Sequence, residues 1–218
     1  MLRILIADDH EVARHGIRAL LESHPGWEVC GEAKDGRESV ELAESLKPDL
    51  ILLDIGMPNL NGLEATRQIL ATSPEAVILI LTMHDTDHVV REVLRAGARG
   101  FLLKSDAGRE LVAAVEALQR QRTFFTNRVS QMVLNGYLDR DNGDGEASNI
   151  SDNILTTRER EVIQLLAEGK TSKEVAVALN LSVKTAETHR TNLMRKLDLH
   201  SIADLTRYAV RNGIVQVF

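Results

Sequence analysis

The first half of the chain contains five short apolar segments, and each is followed by a longer segment in which apolar residues recur with the period of a helix. The apolar segments cover residues 2–7, 28–32, 50–53, 77–81 and 100–103. Strongly apolar strands separated by helices are typical of a parallel sheet covered on both faces, because parallel strands need crossover connections. The pattern therefore predicts an α/β domain with a five-stranded, doubly wound parallel sheet.

The second half of the chain has a different organisation. Residues 135–153 are rich in turn-forming and acidic residues, which predicts a polar linker, and we place this linker over residues 123–153. We predict one domain over residues 1–122 and a small all-α domain over residues 154–218, joined by this linker.

Four helix starts follow one another closely after the linker. Capping boxes are predicted for Thr156 with Glu159 and for Thr171 with Glu174, and Ser182 can cap a third helix. A fourth helix starts near Ser201. Two helices joined by a three-residue turn, with cationic residues on the later one, predict a helix-turn-helix.

Charge is distributed unevenly along the chain, whose formal net charge is −6. Residues 1–122 hold 14 basic and 20 acidic residues, whereas residues 156–218 hold 10 basic and 7 acidic ones. Binding to nucleic acid needs cations that replace the phosphate counterions. The basic second part therefore permits DNA binding, while the acidic first part argues against it.

The single cysteine, Cys30, excludes an internal disulfide, and Asp8 and Asp9 interrupt the apolar start too early for a secretory signal. The longest apolar run falls far short of the about 20 residues that cross a membrane. We therefore expect a cytoplasmic protein without a membrane partner.

Polar residues stand at the ends of four of the five predicted strands. Asp8 and Asp9 follow the first strand, Asp54 the third, Thr82 the fourth and Lys104 the fifth. Ligands gather beyond the carboxyl ends of the strands in a doubly wound sheet, so these side chains are expected to converge. Clustered carboxylates need a cation, and hard oxygen ligands favour Mg²⁺. The sequence thus predicts an Mg²⁺ site at which a phosphoryl group is the natural ligand.

Asp54 is the predicted nucleophile, because it is the only carboxylate at the end of the central strand and the adjacent Asp8 and Asp9 suit a metal. A carboxylate can attack phosphorus to form an aspartyl-phosphate, while the metal and a lysine neutralise the phosphoryl oxygens. Thr82 can donate its hydroxyl to one oxygen, and Lys104 can pair with another. Each residue singly can also be a helix cap or a surface charge, and only their combination favours the functional interpretation.

Five stretches of the first domain carry these side chains. They are Ile6-Ala7-Asp8-Asp9-His10, Leu53-Asp54-Ile55-Gly56-Met57-Pro58, Asn61-Gly62, Leu81-Thr82 and Gly97-Ala98-Arg99-Gly100-Phe101-Leu102-Leu103-Lys104. With them, the first domain resembles the flavodoxin-like receiver domain of bacterial two-component response regulators.

The resemblance to receiver domains implies a set of roles. It implies that a sensor histidine kinase phosphorylates Asp54, and that Asp9, Asp54 and the Gly56 carbonyl bind Mg²⁺, with Asp8 acting through water. It also implies a phosphorylation switch, in which Thr82 moves towards the phosphoryl group and Phe101 follows inward.

Two further positions bear on the lifetime of the phosphoryl group. By the same resemblance, Gly56 and His84 flank the route of the hydrolytic water, where Gly56 leaves space and His84 can orient or obstruct the water. A metal site formed by His84 and His88 is the alternative for the histidines. It is disfavoured because Asp85 and Asp87 look like cap and first-turn residues.

The helix that follows Ser182 has an apolar face and a polar stripe. Ala186, Leu193 and Leu197 can face the core. In a helix-turn-helix, the opposite stripe enters the major groove and its first turns meet base edges. The predicted base contacts are Glu187, Thr188 and Thr191, and the predicted phosphate contacts are Lys184, Thr185, Arg190 and Lys196. The alternative is a solvated charged helix.

The stretch that begins Leu155-Thr156-Thr157-Arg158-Glu159-Arg160-Glu161-Val162 and ends Lys196-Leu197 is similar to the LuxR-type helix-turn-helix. Nearly the whole chain therefore resembles a response regulator of the NarL/FixJ type. Glu187 stands where that family frequently has lysine, and it can accept from cytosine N4, which predicts a distinct operator preference. The resemblance also implies that the fourth helix pairs two copies on DNA, with Ser201, Ile202 and Leu205 near the dimer surface.

The sequence as a whole predicts a transcription regulator that is not an enzyme, with a sensor kinase, double-stranded DNA and a second copy of itself as partners. In this hypothesis, phosphorylation of Asp54 frees the helix-turn-helix to dimerise. One alternative is a DNA binder that does not respond to phosphorylation. Another is an Mg²⁺-dependent phosphohydrolase, which is disfavoured because Gly56 stands where such enzymes commonly have a second Asp.

Overall fold

The computed structural model describes residues 1–83, 86–125, 129, 131 and 155–215. Contacts divide the chain into two compact units, Met1–Gly143 and Asp144–Phe218, and each is described by itself. Most of the predicted linker, residues 123–153, lies outside the described residues, and so do His84 and Asp85.

The first unit contains one sheet, in which all pairings between strands are parallel. The strands are β1 (Leu2–Ala7), β2 (Trp27–Ala33), β3 (Leu50–Asp54), β4 (Ile78–Thr82) and β5 (Gly100–Leu103). Their order across the sheet is β2-β1-β3-β4-β5. The predicted doubly wound sheet is confirmed, and its strand order reverses between β1 and β3, where ligands bind in such folds.

Helices follow each of the five strands. They are α1 (Glu11–Glu22), α2 (Gly36–Leu46), α3 (Gly62–Thr72), α4 (Asp87–Ala96) and α5 (Ala107–Gln119), the last preceded by a single 3₁₀ turn, Lys104–Asp106. The side chain of Asn61 caps α3 by accepting from the Glu64 amide at 2.9 Å. Gly97 ends α4 with a left-handed φ of 94°. Local sequence signals thus fix where α3 begins and where α4 ends.

Both faces of the sheet are buried. All five residues of β3 and all five of β4 are buried. Alternate strand residues enter different clusters, so that Leu5 packs in one and Ile4 in the other. The continuous apolar strands of the sequence therefore reflect burial on two sides.

Strands β3 and β4 each end one residue later than the sequence pattern predicts. Asp54 and Thr82 are the last residues of β3 and β4 rather than the first after them, since Asp54 pairs with Leu81 and Thr82 with Leu103 in the strand register. Their backbones are therefore held by the sheet itself.

The first unit continues past residue 122 at the edge of the sheet. Phe124 forms a parallel bridge with Gly100. Its amide donates to the Arg99 carbonyl at 3.1 Å, and its carbonyl accepts from the Phe101 amide at 2.9 Å. The predicted linker thus begins with residues that extend the pairing of β5.

The second unit is helical in its described part. Its helices are α6 (Thr157–Ala167), α7 (Ser172–Ala178), α8 (Val183–Lys196) and α9 (Ile202–Arg211). Both predicted capping boxes are confirmed. Asn180 adopts a left-handed φ of 53° in the turn between α7 and α8. These four helices contain the predicted helix-turn-helix and pack around one apolar cluster.

The residues of α9 that the resemblance places near the dimer surface differ in burial. Leu205 is 0% exposed and belongs to the core of the second unit, so its side chain does not reach the surface of that unit. Ile202 is 39% exposed on the same helix and stays available for such a contact.

Candidate functional site

Asp8, Asp9, Asp54 and Lys104, together called the acidic pocket, lie at the carboxyl ends of β1, β3 and β5. Asp8 follows β1, Asp54 ends β3, and Lys104 follows β5. The carboxylates of Asp8 and Asp54 are almost completely buried. The Lys104 ammonium lies 2.7 Å from Asp8 Oδ2 and 2.9 Å from Asp54 Oδ2. One ammonium therefore joins two buried carboxylates that are 46 residues apart in the chain.

Burial and charge act in opposite directions on the ionisation of Asp54. Burial raises the pKa of Asp54 and the negative charge of Asp8 adds to this effect, while Lys104 opposes it. Burial also opposes the charge of Lys104, but the two carboxylates outweigh it and raise the pKa of Lys104. The buried negative charges of the pocket therefore raise the free energy of the folded state, and further cationic charge would lower it.

Asp9 and His10 complete a group of possible metal ligands. One ligand atom each from Asp8, Asp9, His10 and Asp54 lies within 4.8 Å of the other three. The His10 amide donates to Asp8 Oδ1 at 2.9 Å, and His10 Nδ1 lies 2.8 Å from Asp9 Oδ1. Three carboxylates supply the oxygen ligands that Mg²⁺ prefers, so the residues fit this ion. His10 is not among the predicted ligands, although it directly follows Asp9 in the sequence.

Close backbone approaches hold the loop that follows Asp54. The Gly56 backbone N–H donates to the Asp54 carboxylate, and this hydrogen bond lowers the pKa of Asp54 against the effect of burial. A Cβ atom on Gly62 would lie 2.0 Å from the Asp54 carbonyl oxygen. Only glycine fits at residue 62, and this explains the Asn61-Gly62 pair of the sequence.

Thr82 and Phe101 are both buried in the first unit. Thr82 is fully buried at the end of β4. Phe101 is 1% exposed and packs in one of the two apolar clusters that flank the sheet. In this conformation the Phe101 ring already lies in the interior. The structure therefore does not show the outward position from which the predicted inward movement would begin.

The recognition stripe, defined as Lys184, Thr185, Glu187, Thr188, Arg190, Thr191 and Lys196, lies on α8. Arg190 is half-buried and the other six residues are exposed. On the opposite face, Ala186 and Leu193 are buried as predicted, and Leu197 packs against the core. The Ser182 hydroxyl caps the helix by accepting from the Thr185 amide at 3.0 Å. Packing therefore orients the stripe towards solvent.

The hydroxyls of two threonines in the stripe are engaged within α8. Thr188 Oγ1 donates to the Lys184 carbonyl at 2.8 Å, and Thr191 Oγ1 donates to the Glu187 carbonyl at 2.9 Å. In this arrangement their methyl groups and oxygen lone pairs stay available to a ligand.

The exposed Lys196 forms an ion pair within the second unit. Its ammonium donates to Glu159 Oε2 at 2.7 Å and to Oε1 at 3.0 Å, and the same carboxylate accepts from the Thr156 amide at 2.8 Å. Burial opposes the charge of Glu159, but the hydrogen bonds from Lys196 and Thr156 outweigh it and lower the pKa of Glu159. This ion pair joins the end of α8 to the start of α6, which a capping-box pattern alone does not reveal.

Comparison with known proteins gives two family matches. Residues 4–116 match the response regulator receiver domain, and residues 153–209 match the bacterial regulatory proteins of the luxR family. The chain is 40% identical over 215 residues to the transcriptional regulatory protein LiaR of Bacillus subtilis (strain 168), which covers 99% of this chain and 100% of LiaR.

Solved structures show the same similarity. RcsB from Salmonella enterica serovar Typhimurium, bound to promoter rprA in the presence of the phosphomimetic BeF3⁻, has a TM-score of 0.59 at 29% identity and covers 95% of this chain and 97% of RcsB. A structure of two RcsB dimers bound to two parallel DNAs has a TM-score of 0.58 at 28% identity, over 97% of this chain and 98% of RcsB.

No helix within the described residues is both long and apolar enough to cross a membrane.

Proposed function

The chain belongs to the two-component response regulators that join a receiver domain to a LuxR-type DNA-binding domain, and we propose that phosphorylation of Asp54 controls its binding to DNA. This family consists of transcription regulators, not of enzymes. The observation that carries the proposal is the Lys104 ammonium, which lies within 3 Å of both Asp8 and Asp54 at the carboxyl end of the sheet.

Asp54 accepts the phosphoryl group from a phosphohistidine of the sensor kinase. A carboxylate oxygen of Asp54 attacks phosphorus, the P–O bond forms as the P–N bond breaks, and the electron pair leaves with the imidazole nitrogen. Lys104 then exchanges a carboxylate partner for a phosphoryl oxygen. Thr82, at the end of the neighbouring strand, donates its hydroxyl to a second oxygen and thereby responds to the modification.

Mg²⁺ would be held by Asp9, Asp54 and the Gly56 carbonyl, with Asp8 acting through water, and would neutralise charge on the phosphoryl oxygens. The group of Asp8, Asp9, His10 and Asp54 ligand atoms within 4.8 Å supports this assignment. The raised pKa of Asp54, caused mainly by burial, supports it as well, because a cation relieves the cost of the buried charge.

The recognition stripe of α8 binds double-stranded DNA through the major groove. Glu187, Thr188 and Thr191 contact bases, and Lys184, Thr185, Arg190 and Lys196 contact phosphates. Support comes from the exposure of the stripe and from the RcsB complexes with DNA. For Lys196 the phosphate contact requires release from Glu159 or a shared contact, since its ammonium is engaged there.

A second copy of the chain is the proposed partner on DNA, in line with the RcsB dimers on DNA. Ser201 and Ile202, at the start of α9, are exposed and stay near the proposed dimer surface.

We propose that residues 1–122 form the receiver domain, residues 123–153 the linker and residues 154–218 the DNA-binding domain. We also propose that the protein acts in the cytoplasm, where it can reach both the kinase and the DNA.

Intact-mass spectrometry tests the phosphoacceptor. Wild type and Asp54→Ala are incubated with Mg²⁺ and a small-molecule phosphodonor. We expect one phosphoryl adduct on wild type and none on Asp54→Ala, because the variant has no nucleophile at the end of β3. Equal labelling of both proteins would reject Asp54 as the acceptor. The far-ultraviolet circular dichroism of Asp54→Ala is the control for folding.

A further inference from the structure

Arg14, on α1, contacts the backbone of the acidic pocket. Its Nη1 donates to the Asp8 carbonyl oxygen at 2.7 Å, and its Nε donates to Glu32 Oε2 at 3.3 Å. The Arg14 side chain is 15% exposed. A largely buried guanidinium thus joins α1, β2 and the segment after β1 at one point.

The carbonyl that Arg14 binds belongs to the peptide between Asp8 and Asp9. On the other side of Asp8, its amide donates to the Ala33 carbonyl at 3.1 Å. These two hydrogen bonds hold the backbone from which both carboxylates project. Adjacent carboxylates repel one another in a buried site, so their orientation depends on such fixed backbone contacts.

Glu32 anchors the guanidinium. It accepts from Arg18 Nη1 at 2.6 Å as well as from Arg14, and Arg18 in turn donates to Glu22 Oε1 at 3.0 Å. The hydrogen bond from Arg18 is the largest influence that lowers the pKa of Glu32, and the bond from Arg14 adds to it despite burial. Glu32 is therefore a charged partner for both arginines.

We propose that Arg14 is a positioning residue for the Mg²⁺ site, since it holds the Asp8–Asp9 peptide so that both carboxylates face the pocket. This inference rests on the proposed function, because it concerns the same metal site. Among the described residues, the side-chain hydrogen bonds of Arg14 go to the Asp8 carbonyl and to Glu32, so Arg14 acts through the Asp8 backbone.

A purely electrostatic role and a positioning role of Arg14 predict opposite changes in Mg²⁺ affinity when Arg14 is replaced. A cation close to a metal site repels the metal, so removal of the Arg14 charge alone would tighten Mg²⁺ binding. Loss of a positioning contact weakens metal binding, by about tenfold or more for outer-shell partners of metal ligands. The sign of the change therefore separates the two effects.

The test is calorimetric titration of Mg²⁺ into the full-length protein. We expect Arg14→Met to raise the Mg²⁺ Kd by about tenfold. Arg14→Lys keeps the charge but lacks the planar fork that reaches two partners, so we expect a smaller rise. Arg18→Met is the matched control, because it also removes an arginine bound to Glu32, while the side-chain hydrogen bonds of Arg18 within the described residues go to Glu22 and Glu32 and not to Asp8. We expect it to leave the Kd unchanged.

Asp9→Asn and wild type separate this inference from the proposed metal site. If Asp9→Asn weakens Mg²⁺ binding while Arg14→Met and Arg14→Lys bind as wild type does or more tightly, only the role of Arg14 is overturned. If wild type binds no Mg²⁺, or Asp9→Asn binds as well as wild type, both proposals fail. Should Arg14→Met not fold, as judged by its melting curve without Mg²⁺, Arg14→Lys alone decides the outcome.

Discussion

The Lys104 ammonium is the single cation within 3 Å of the two buried carboxylates Asp8 and Asp54, among the contacts of the described residues. A buried carboxylate destabilises a fold unless its lost hydration is replaced. Here the replacement is partial for Asp54, whose pKa is raised mainly by burial and further by Asp8. Asp54, the proposed phosphoacceptor, is thus held in a form that favours an incoming cation.

We expect Asp54→Asn to stabilise the first unit in Mg²⁺-free buffer at neutral pH. Burial raises the pKa of Asp54 in the folded state, so protonated Asp54 favours folding. This contribution to the free energy of unfolding is fully present below the unfolded-state pKa and is lost as the pH rises through the folded-state pKa. At neutral pH the charged Asp54 therefore destabilises the fold. A gain of about 1 kcal/mol would raise the Tm of a domain of this size by about 4 °C.

Differential scanning calorimetry measures this change in Tm. Glu75→Gln is the control, since it removes an exposed carboxylate of the same unit. The difference between Asp54→Asn and wild type should shrink as the pH falls, because protonation neutralises Asp54 in wild type. An unchanged or lower Tm for Asp54→Asn at neutral pH would contradict the destabilising role of its charge.

Helix α8 combines a buried face with a stripe that differs in charge along its length. Glu187 offers only acceptors to DNA when ionised, while Lys184 offers only donors. The hydroxyl protons of Thr188 and Thr191 are used within the helix, so these hydroxyls can offer only their lone pairs to a ligand. The part of α8 that we propose to face the bases is therefore suited to base amino groups and thymine methyls.

We expect Glu187→Ala to change the sequence preference of DNA binding and Lys184→Ala to weaken binding to all sequences. The first variant removes the proposed base contact, of a kind worth about 1–3 kcal/mol, and the second removes the proposed phosphate contact. Selection from a pool of random duplexes measures the preference, and titrations at several salt concentrations measure the slope. Lys184→Ala should reduce by about one the slope of the logarithm of the binding constant against the logarithm of the salt concentration.

Equal effects of both variants on all sequences would reject the assignment of Glu187 to bases. Thr206→Ala serves as the control, because Thr206 lies on α9 outside the recognition stripe and is bonded to the Ile202 carbonyl. Its sequence preference and its salt slope should match those of wild type.

The whole molecule separates an acidic receiver from a basic DNA-binding part. Residues 1–122 have an excess of acidic residues, and residues 156–218 have an excess of basic ones. This distribution suits a chain whose first part is proposed to bind Mg²⁺, while its second part binds the polyanion DNA.

We expect phosphorylation to tighten DNA binding by about tenfold, within the usual range of coupling between two sites. Wild type is titrated onto a selected duplex with and without a phosphodonor, in the presence of Mg²⁺. Asp54→Ala is the control and should bind equally in both conditions. If wild type does not respond although its mass shows the adduct, the chain is a DNA binder that does not depend on phosphorylation.

The sequence by itself determined the order of elements and the candidate residues. Alternating apolar segments predict the parallel sheet, because buried strands are apolar on both faces. Once that sheet is predicted, the polar residues at its strand ends are expected at one edge, as found for Asp8, Asp54 and Lys104. The capping boxes of α6 and α7 are also local signals, and the structure confirms them.

Only the tertiary structure decided which side chains meet across distant elements. The pair of Lys196 with Glu159 joins residues 37 positions apart, and no local spacing predicts it. The contact of Arg14 with Glu32 depends on how α1 packs against β2, and the burial of Leu205 depends on the core of the second unit. The physical reason is that periodicity defines a face, whereas the partner of that face is set by packing between elements.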